Sequence, residues 1–383
     1  MSNHLYIDLH ILQDIPPSNI NRDDNGTPKQ AFYGGVNRLR VSSQAWKRAT
    51  RIAFQEWMST SELGVRTRQF VKLLSDELQE KGVDPALADK LAAGTSSALG
   101  IKAGKKDTNL AYLLFFSRSQ LAEIVNRIID QLDVLAGLEG DKLAKQAESI
   151  DMKEILGQGH SLDVALFGRM VADFADLNVD AAAQVAHALA THATQTDFDY
   201  FTAVDDENEA GECGAGMIGS VEFNSATLYR YATVGVHQLF ENLADRESTA
   251  TGIASFIKAF SLSMPSGHKT SFAPHTRPGF VGVVLRSDQP VNLVSAFEDP
   301  VSTKQGTFEP SLARLSKFAS GEAARWGDRP IATIATYRKV STGKISDAVV
   351  EAFGESLQFE DLITAVEEKV REWLNSDERN ESK

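Results

Sequence analysis

The sequence predicts an α+β fold in which one sheet carries helices on one face. Apolar residues alternate in a strand-like pattern near the start of the chain and again at 221–236, whereas residues 59–168 show apolar spacing of three and four. Strand-like and helix-like segments interleave along the remainder of the chain. This mixture favours a sheet with a large helical insertion over an all-helical or all-strand architecture.

The chain is predicted to open with a strand. Apolar and polar side chains alternate over residues 4–12, which is the period of two typical of a half-buried strand. The proline pair at 16–17 and the polar stretch 21–26 then predict a long loop, because these residue types break strands and favour turns.

A second strand at 31–41, which contains Gly34 and Gly35, is predicted to lead into a helix at 44–58. Ser42 and Ser43 are natural N-caps for this helix. The helix itself is indicated by apolar residues at helical spacing, namely Ala45, Ala49, Ile52, Ala53 and Trp57.

The remaining elements follow from the same patterns. Residues 59–168 are rich in Ala, Leu, Glu, Lys and Gln and are interpreted as a helical insertion. The Gly-rich, acidic stretch 195–224 is interpreted as a surface loop or an extended hairpin. Further strands are predicted at 221–236, 280–285 and 331–340, further helices at 181–193, 248–264 and 361–374, and a polar, frayed end at 376–383.

Composition excludes several protein classes. The 383 residues are 42% hydrophobic and 24% charged, as in folded globular proteins. A single cysteine, Cys213, permits neither an intramolecular disulfide nor a cysteine-based zinc cage. No apolar run approaches the roughly 20 residues that span a bilayer, and residues 1–12 lack a signal-peptide pattern, so we expect a cytoplasmic protein without a membrane partner.

Motifs for nucleotide, metal or nucleophile chemistry are missing from the sequence. There is no phosphate-binding loop, dinucleotide fingerprint, nucleophile elbow or kinase signature. His187 and His192 are five residues apart, not at the four-residue spacing that shares a metal on a helix. Cys213 lacks a basic context that would activate its thiol. These observations therefore predict no cofactor, and none of them supplies a metal site or a catalytic residue.

Charge is unevenly distributed along the chain. The formal net charge of −13 argues against a polyanionic partner. Residues 22–51, however, carry seven basic residues against two acidic ones, a local charge of +5; the basic residues are Arg22, Lys29, Arg38, Arg40, Lys47, Arg48 and Arg51. An isolated run of this kind is usually only a solvated basic face.

The arrangement of this basic segment favours a nucleic-acid role. Arg22 and Lys29 lie on the loop, Ser42 and Gln44 lie at the helix start, and the cations of the helix follow one turn apart at 47 and 51. These groups could contact successive phosphates of one strand, and the helix N-terminus favours an anion. Such binding would depend on salt and show little sequence preference.

Two adjacent carboxylates, Asp23 and Asp24, are the most enzyme-like feature of the chain. They could bind a divalent cation or activate a 2′-hydroxyl for RNA cleavage. The alternative is a structural role in a turn, because Asp and Asn side chains stabilise tight turns by hydrogen-bonding to nearby backbone groups. The sequence leaves both interpretations open.

Six strings follow the opening strand in order: Asn21-Arg22-Asp23-Asp24, Phe32-Tyr33-Gly34-Gly35, Arg40-Val41-Ser42-Ser43-Gln44-x-x-Lys47-Arg48, 163–170 (DVALFGRM), 201–206 (FTAVDD) and 223–231 (FNSATLYRY). Together with the opening strand, these strings resemble the crRNA-binding backbone subunit (CasC family) of type I-E CRISPR Cascade complexes. The resemblance covers nearly the whole chain.

The resemblance implies a modified RRM-like, ferredoxin-like palm with a helical fingers insertion and a β-hairpin thumb. In this sequence the palm would comprise 1–58, 169–194 and 225–375, the fingers 59–168 and the thumb 195–224, followed by a flexible tail at 376–383. The aromatic signature of ordinary RRM sheets is missing, so base stacking on the strands is not expected.

The resemblance also implies partners and site residues. The subunit would be non-catalytic and would polymerise with other copies along a crRNA as a helical filament, presenting the guide in short segments to target DNA beside other Cascade subunits in antiviral defence. The implied guide-binding residues are Arg22, Lys29, Ser42, Gln44, Lys47, Arg48, Arg51, Arg169, Met170, Phe201 and Thr202. Met170 would pack on a base, and the thumb near Phe201 and Thr202 would wedge between nucleotides.

Two alternatives remain open. Related backbone subunits of type III complexes cut target RNA with a loop aspartate, which would make Asp23 or Asp24 catalytic in a guided ribonuclease. A filament built from protein alone is the third interpretation.

Overall fold

The computed structural model describes residues 4–100, 109–171, 174–204, 215–304, 306–340 and 343–381. The chain is α+β, as predicted, and its main sheet is antiparallel. It divides into two compact units: one comprises Met1–Ala53, Gln184–Gly235 and Ile253–Lys383, and the other comprises Phe54–Ala183 and Val236–Gly252. Over the described ranges, no helix is both long and apolar enough to cross a membrane.

The strands and helices alternate along the chain. The strands are β1 (Tyr6–Ser18), β2 (Gln30–Tyr33), β3 (Val36–Val41), β4 (Gly64–Thr67), β5 (Leu114–Ser117), β6 (Ala183–Val185), β7 (Ala188–Ala190), β8 (Asp197–Val204), β9 (Ala215–Gly235), β10 (Phe280–Arg286) and β11 (Ala332–Tyr337). The helices are α1 (Ser43–Phe54), α2 (Phe70–Glu80), α3 (Pro85–Ala98), α4 (Arg118–Asp130), α5 (Leu132–Leu135), α6 (Gly140–Ala147), α7 (Met152–Gly157), α8 (Leu162–Phe167), α9 (Val236–Leu243), α10 (Arg246–Leu262), α11 (Lys269–Phe272), α12 (Phe308–Trp326), α13 (Gly343–Phe353) and α14 (Phe359–Glu381).

The main sheet has the order β11-β10-β1-β9-β7-β3-β2, and β6 and β8 also pair with β9. Strand β1, third in this order, pairs with β9 from Tyr6↔Gly235 onwards and with β10 from Tyr6↔Arg286 onwards. Both faces of this strand are buried, as shown by Leu9 and His10, which are each 0% exposed. The prediction of a half-buried strand was therefore wrong, because packed side chains cover the strand on both sides.

The opening strand is also longer than predicted. It runs through Pro16 and Pro17 to Ser18, and its register with β9 shifts between Ile15 and Ser18. Proline cannot donate a ladder hydrogen bond, so a local irregularity lets the strand pass both prolines without breaking.

Residues 31–41 form a hairpin and not the single strand predicted. Strands β2 and β3 pair from Gln30↔Leu39 to Tyr33↔Val36, with Gly34 and Gly35 as the two-residue turn. Both glycines have positive φ, at 59° and 79°, as a type I′ turn requires. A Cβ on Gly34 would overlap the carbonyl oxygen of Glu298, so only glycine fits there.

Two other segments differ from prediction. The alanine-rich stretch 181–193 forms strands β6 and β7, not a helix, because β7 pairs with both β3 and β9 in the sheet. Tertiary strand pairing therefore overrides the helix propensity of alanine. At the C-terminal end, α14 continues to Glu381, where a frayed tail from residue 376 was predicted.

The second unit is mainly helical, in agreement with the insertion predicted at 59–168. It also contains a two-stranded sheet in which β4 pairs with β5. Its core includes Phe70 and Phe116, whose rings meet edge to face with centroids 5.1 Å apart. The unit extends past the predicted insertion at both ends and takes in residues 236–252.

Candidate nucleic-acid interface

The loop at 21–29 is closed on itself by Asp23. The Asp23 Oδ1 atom accepts hydrogen bonds from the backbone N–H groups of Asn25 at 2.9 Å and Thr27 at 3.0 Å, and Asp23 N donates to Thr27 O at 2.9 Å. Arg22 forms a backbone bridge with Pro28 at the neck of the loop, and its side chain is exposed. The Asp23 carboxylate therefore stabilises the turn of its own loop in this structure.

Asn21 connects this loop to helix α1. Its carbonyl oxygen accepts a hydrogen bond from Lys29 N at 2.9 Å, and its side-chain Oδ1 accepts one from Ser42 N at 2.8 Å. Ser42 is buried, and its Oγ accepts a hydrogen bond from Ala45 N at 3.3 Å, as an N-cap should. The loop carrying Arg22 and Lys29 is thereby held beside the N-terminus of α1.

Helix α1 has one buried side and one accessible side. Trp46 is 0% exposed, whereas Gln44 and Arg48 are exposed. Lys47 and Arg51 are half-buried, and burial lowers the pKa of Lys47. Of the three cationic side chains predicted on this helix, one is therefore exposed and two are half-buried.

His187 lies at the same helix start. Its Nδ1 accepts a hydrogen bond from Ser43 N at 3.0 Å and lies 3.3 Å from Arg40 Nη1. A backbone N–H can only donate, so Nδ1 is unprotonated. Burial first, and then the charges of Arg40 and Lys29, lower the pKa of His187. Sequence reasoning missed this role of His187, because residues 181–193 were predicted to be helical.

Not all seven basic residues of 22–51 are available to a partner. Arg38 is 0% exposed, and its guanidinium donates to the carbonyl oxygens of Tyr33, Ala190, Phe297 and Glu298. Burial lowers the pKa of Arg38 as a result. The sequence count of +5 therefore overstates the accessible charge of this segment.

A hairpin formed by β8 and β9 extends from the same unit, which settles the choice left open for 195–224 in favour of a hairpin. Phe201 faces Gly219 in the opposite strand, and Thr202 faces Ile218. Both Phe201 and Thr202 are exposed, and so are Phe198 at 70% and Tyr200 at 66%. Residues 205–214 of the predicted thumb, including Cys213, lie outside the described residues.

Two polar side chains tie this hairpin to the loop and to β2. Buried Asn19 donates through Nδ2 to Gly26 O at 2.7 Å and to Glu222 O at 2.9 Å. Gln30 donates through Nε2 to Thr196 Oγ1 at 2.6 Å. The structure therefore brings together the loop, the helix start and the hairpin base, and Asn19 and Asn21 are the positioning residues that sequence reasoning did not single out.

The hairpin differs from the loop in charge. Residues 195–224 contain eight acidic residues and no Lys or Arg. This composition repels a polyanion, so nucleic acid bound at the hairpin would have to be held by aromatic rings and backbone groups and not by cationic side chains.

Arg169 and Met170 belong to the other compact unit. Arg169 is buried, at 4% exposure, and its guanidinium donates to backbone carbonyl oxygens of Leu177 at 2.5 Å and Leu156 at 2.6 Å. Met170 is 82% exposed. Burial lowers the pKa of Arg169 to about 10.

The described residues offer no ready metal site. Over these ranges, no group of three or more His, Cys, Asp and Glu side chains is placed to hold an ion.

Comparisons with known proteins give one family and several structures. The family model described as "CT1975-like protein" matches residues 7–365. A solved chain titled "CRISPR RNA-guided surveillance complex, pre-nicking" is 30% identical, with a TM-score of 0.81 over 95% of this chain and 100% of that one. A second, titled "CRISPR RNA-guided surveillance complex", is 27% identical, with a TM-score of 0.71 over 95% and 99%. No curated protein sequence matches the chain.

Proposed function

Since the chain belongs to the CT1975-like protein family, we propose that it is a guide-RNA-binding backbone subunit of a CRISPR surveillance complex. The finer assignment is a type I-E Cascade subunit that polymerises along one crRNA. In this assignment the main sheet is the RRM-like, ferredoxin-like palm, the helical unit is the fingers and the β8–β9 hairpin is the thumb.

The observation that carries the proposal is the surface organised by Asn21. Asn21 accepts two hydrogen bonds, from Lys29 N and Ser42 N, which hold the Arg22–Lys29 loop against the start of α1. Cationic side chains and a helix N-terminus together form a favourable site for phosphate groups. None of these groups needs to reach a base edge, so the surface suits a ribose-phosphate backbone of any sequence.

Exposed side chains in each unit supply candidate contacts to the bases. Phe201 and Thr202 on the hairpin are accessible groups suited to packing against bases or sugars, and Met170 is such a group on the other unit. Sequence recognition would then come from pairing between the guide and target DNA, with the protein holding the guide in an ordered form.

We propose that the subunit is not a nuclease. Asp23 is engaged with two backbone amides in its own loop, which supports a structural role. Asp24 is exposed on the same loop and remains the candidate for the alternative function, a guided ribonuclease of the type III kind.

Co-expression with a CRISPR array tests the proposal. Material purified with its guide should show a high absorbance at 260 nm and should yield RNA of uniform length after extraction. A variant with Arg22, Lys29 and Lys47 all changed to alanine should purify with little RNA. Protein that carries no RNA, or polymers whose length survives RNase treatment, would contradict the proposal and support a filament of protein alone.

A further inference from the structure

Met170 occupies an unusual position between two buried neighbours. Its own side chain is 82% exposed, whereas Arg169 and Val171 are 4% and 1% exposed. The Met170 side chain is therefore a large apolar group in solvent, although the residues before and after it are both packed in the core.

The backbone on both sides of Met170 is fixed to one neighbouring segment. Arg169 N donates to Val179 O at 3.0 Å, and Val179 N donates to Arg169 O at 2.8 Å. On the other side, Val171 N donates to Asn178 Oδ1 at 2.7 Å. Met170 therefore lies within a short clamp, formed by two bridged backbone segments, residues 168–171 and residues 178–179.

Gly168 allows the two segments of the clamp to approach each other closely. It has a φ of 74°, and a Cβ at this position would lie 2.7 Å from Val179 O. Any other residue would push the two segments apart and strain the backbone, so this geometry requires glycine at position 168.

The Arg169 guanidinium braces the clamp from within. Its Nε donates to Leu177 O, which adjoins Asn178, and its Nη2 and Nη1 donate to Leu156 O at 2.6 Å and Phe115 O at 3.4 Å. These carbonyls come from three separate segments of the helical unit, so the side chain joins the clamp to the core around it. A guanidinium used in this way has its donors directed inward, away from solvent.

We propose that Arg169 is a positioning residue for Met170 and does not itself contact the guide backbone. The inference rests on the proposed function for the role of Met170, and it revises the expectation, taken from the family resemblance, that Arg169 lies on the guide. Residues 168–171 and 178–179 form a rigid mount that presents Met170 to solvent between the buried Arg169 and Val171.

A hydrogen-exchange measurement tests the mount without RNA. In full-length Arg169→Gln, the amides of Val171 and Val179 should exchange at least tenfold faster than in the wild type, while Met170→Ala should leave both unchanged. Unchanged exchange in Arg169→Gln would overturn the proposed brace whatever the protein does with RNA. Asn178→Ala, which alters no charge, should speed the exchange at Val171 in the same way.

A double-mutant cycle tests the link to binding. The probe is a fluorescently labelled single-stranded RNA of about 30 nucleotides, titrated at several KCl concentrations against the four full-length chains of the cycle. Met170→Ala should weaken binding roughly five- to tenfold, as expected for loss of one apolar contact. Arg169→Gln should weaken it to the same extent, and the double variant should be no weaker than Met170→Ala alone.

The salt dependence separates the two roles of arginine. If Arg169 only positions Met170, the slope of log affinity against log salt should equal that of the wild type in all four chains. A slope smaller by about 0.7 in Arg169→Gln, with an effect that multiplies that of Met170→Ala, would show a phosphate contact and overturn the proposal. Failure of the wild-type chain to bind the probe would instead contradict the proposed function and leave the exchange result standing.

Discussion

The guanidinium carbon of Arg230 lies 3.7 Å from the centre of the Trp46 ring, and both side chains are buried. The ring of Phe260 lies 4.6 Å away on the same cation, and the guanidinium donates to Gln13 Oε1 and Phe260 O. Burial lowers the pKa of Arg230 to about 9, so the group stays charged at neutral pH. Because Trp46 directly precedes Lys47, this contact fixes the side of α1 that faces outward.

Replacing Trp46 with alanine should destabilise the protein strongly. The substitution removes a fully buried indole, which is the nearer of the two aromatic rings against the Arg230 cation. We expect the free energy of unfolding to fall by about 3–5 kcal/mol, measured by urea denaturation. Arg48→Ala, at an exposed position on the same helix, is the control and should change it by less than about 0.5 kcal/mol. A loss below about 1 kcal/mol for Trp46→Ala would show that the contact contributes little.

The double variant Lys47→Ala with Arg51→Ala should bind RNA more weakly and with less salt dependence. Removal of two cations is expected to reduce the slope of log affinity against log salt by about 1.4. Unrelated RNA sequences should lose affinity equally, because phosphate contacts carry no base information. Fluorescence anisotropy with two unrelated single-stranded RNAs measures both effects, and Lys317→Ala, at an exposed position of α12, is the control. Sequence-selective loss of binding would contradict the assignment.

Gly219→Ala should disturb the hairpin through Phe201. A Cβ at this position would lie 2.5 Å from Phe201 Cζ, so the ring must move. If Phe201 contacts the guide, the affinity for single-stranded RNA should fall while its salt dependence stays the same. Gly321→Ala in helix α12, where no atom lies within 4 Å of the new Cβ, is the control and should leave RNA binding intact. Wild-type affinity in Gly219→Ala would remove Phe201 from the site.

His10 should make the protein less stable in acid. His10 Nδ1 lies within hydrogen-bond distance of Tyr229 Oη, at 2.9 Å, and Leu293 N also donates to that hydroxyl oxygen. Burial, and secondarily the Arg286 charge, lower the pKa of His10 to about 3. Between pH 6.5 and pH 3 the unfolded chain therefore takes up a proton that the folded chain does not.

The free energy of unfolding should consequently fall as the pH falls through this window, with His10 contributing about 1.4 kcal/mol per pH unit. His10→Asn should show a shallower decline, measured by urea unfolding at pH 7, 6 and 5, with His275→Asn at an exposed position as the matched control. An equal decline in His10→Asn and in the wild type would mean that His10 is not the group responsible.

Asp24→Ala should leave the assembled particle unchanged in its action on RNA. With complementary RNA and Mg²⁺, we expect no regular cleavage ladder from either the wild type or the variant, because the loop is interpreted as a phosphate-contacting element. Denaturing gel electrophoresis of end-labelled RNA makes the comparison. A ladder from the wild type that is lost in Asp24→Ala would establish the guided ribonuclease instead.

Sequence patterns were sufficient for the elements whose side chains repeat regularly. The strand at Phe280–Arg286, the helix that begins at the Ser42 cap and the helical insertion were each indicated by local spacing. The alanine-rich stretch at 181–193 was not, since alanine favours a helix locally and only pairing with β3 and β9 makes it a strand. The paired glycines at 34–35 signal a hairpin turn, and that signal was missed within an otherwise strand-like run.

The candidate site was foreseen in part. Charge and helix capping pointed to the segment 22–51, and the structure places its loop beside the helix start. The fate of each cation depends on long-range contacts, and no local pattern distinguishes Arg38, which bonds carbonyls near residue 298, from exposed Arg48. The same limit concealed His187, whose partner Ser43 is 144 residues away.

Asn21 gives the proposed phosphate contacts a fixed spacing. Its two hydrogen bonds set the distance between the Arg22 loop and helix α1 before any RNA arrives. A strand that engages both elements must adopt the interval dictated by the folded chain, so most of the entropy lost on association comes from the nucleic acid and little from the protein. In a row of identical subunits, such an interval would act as a molecular ruler.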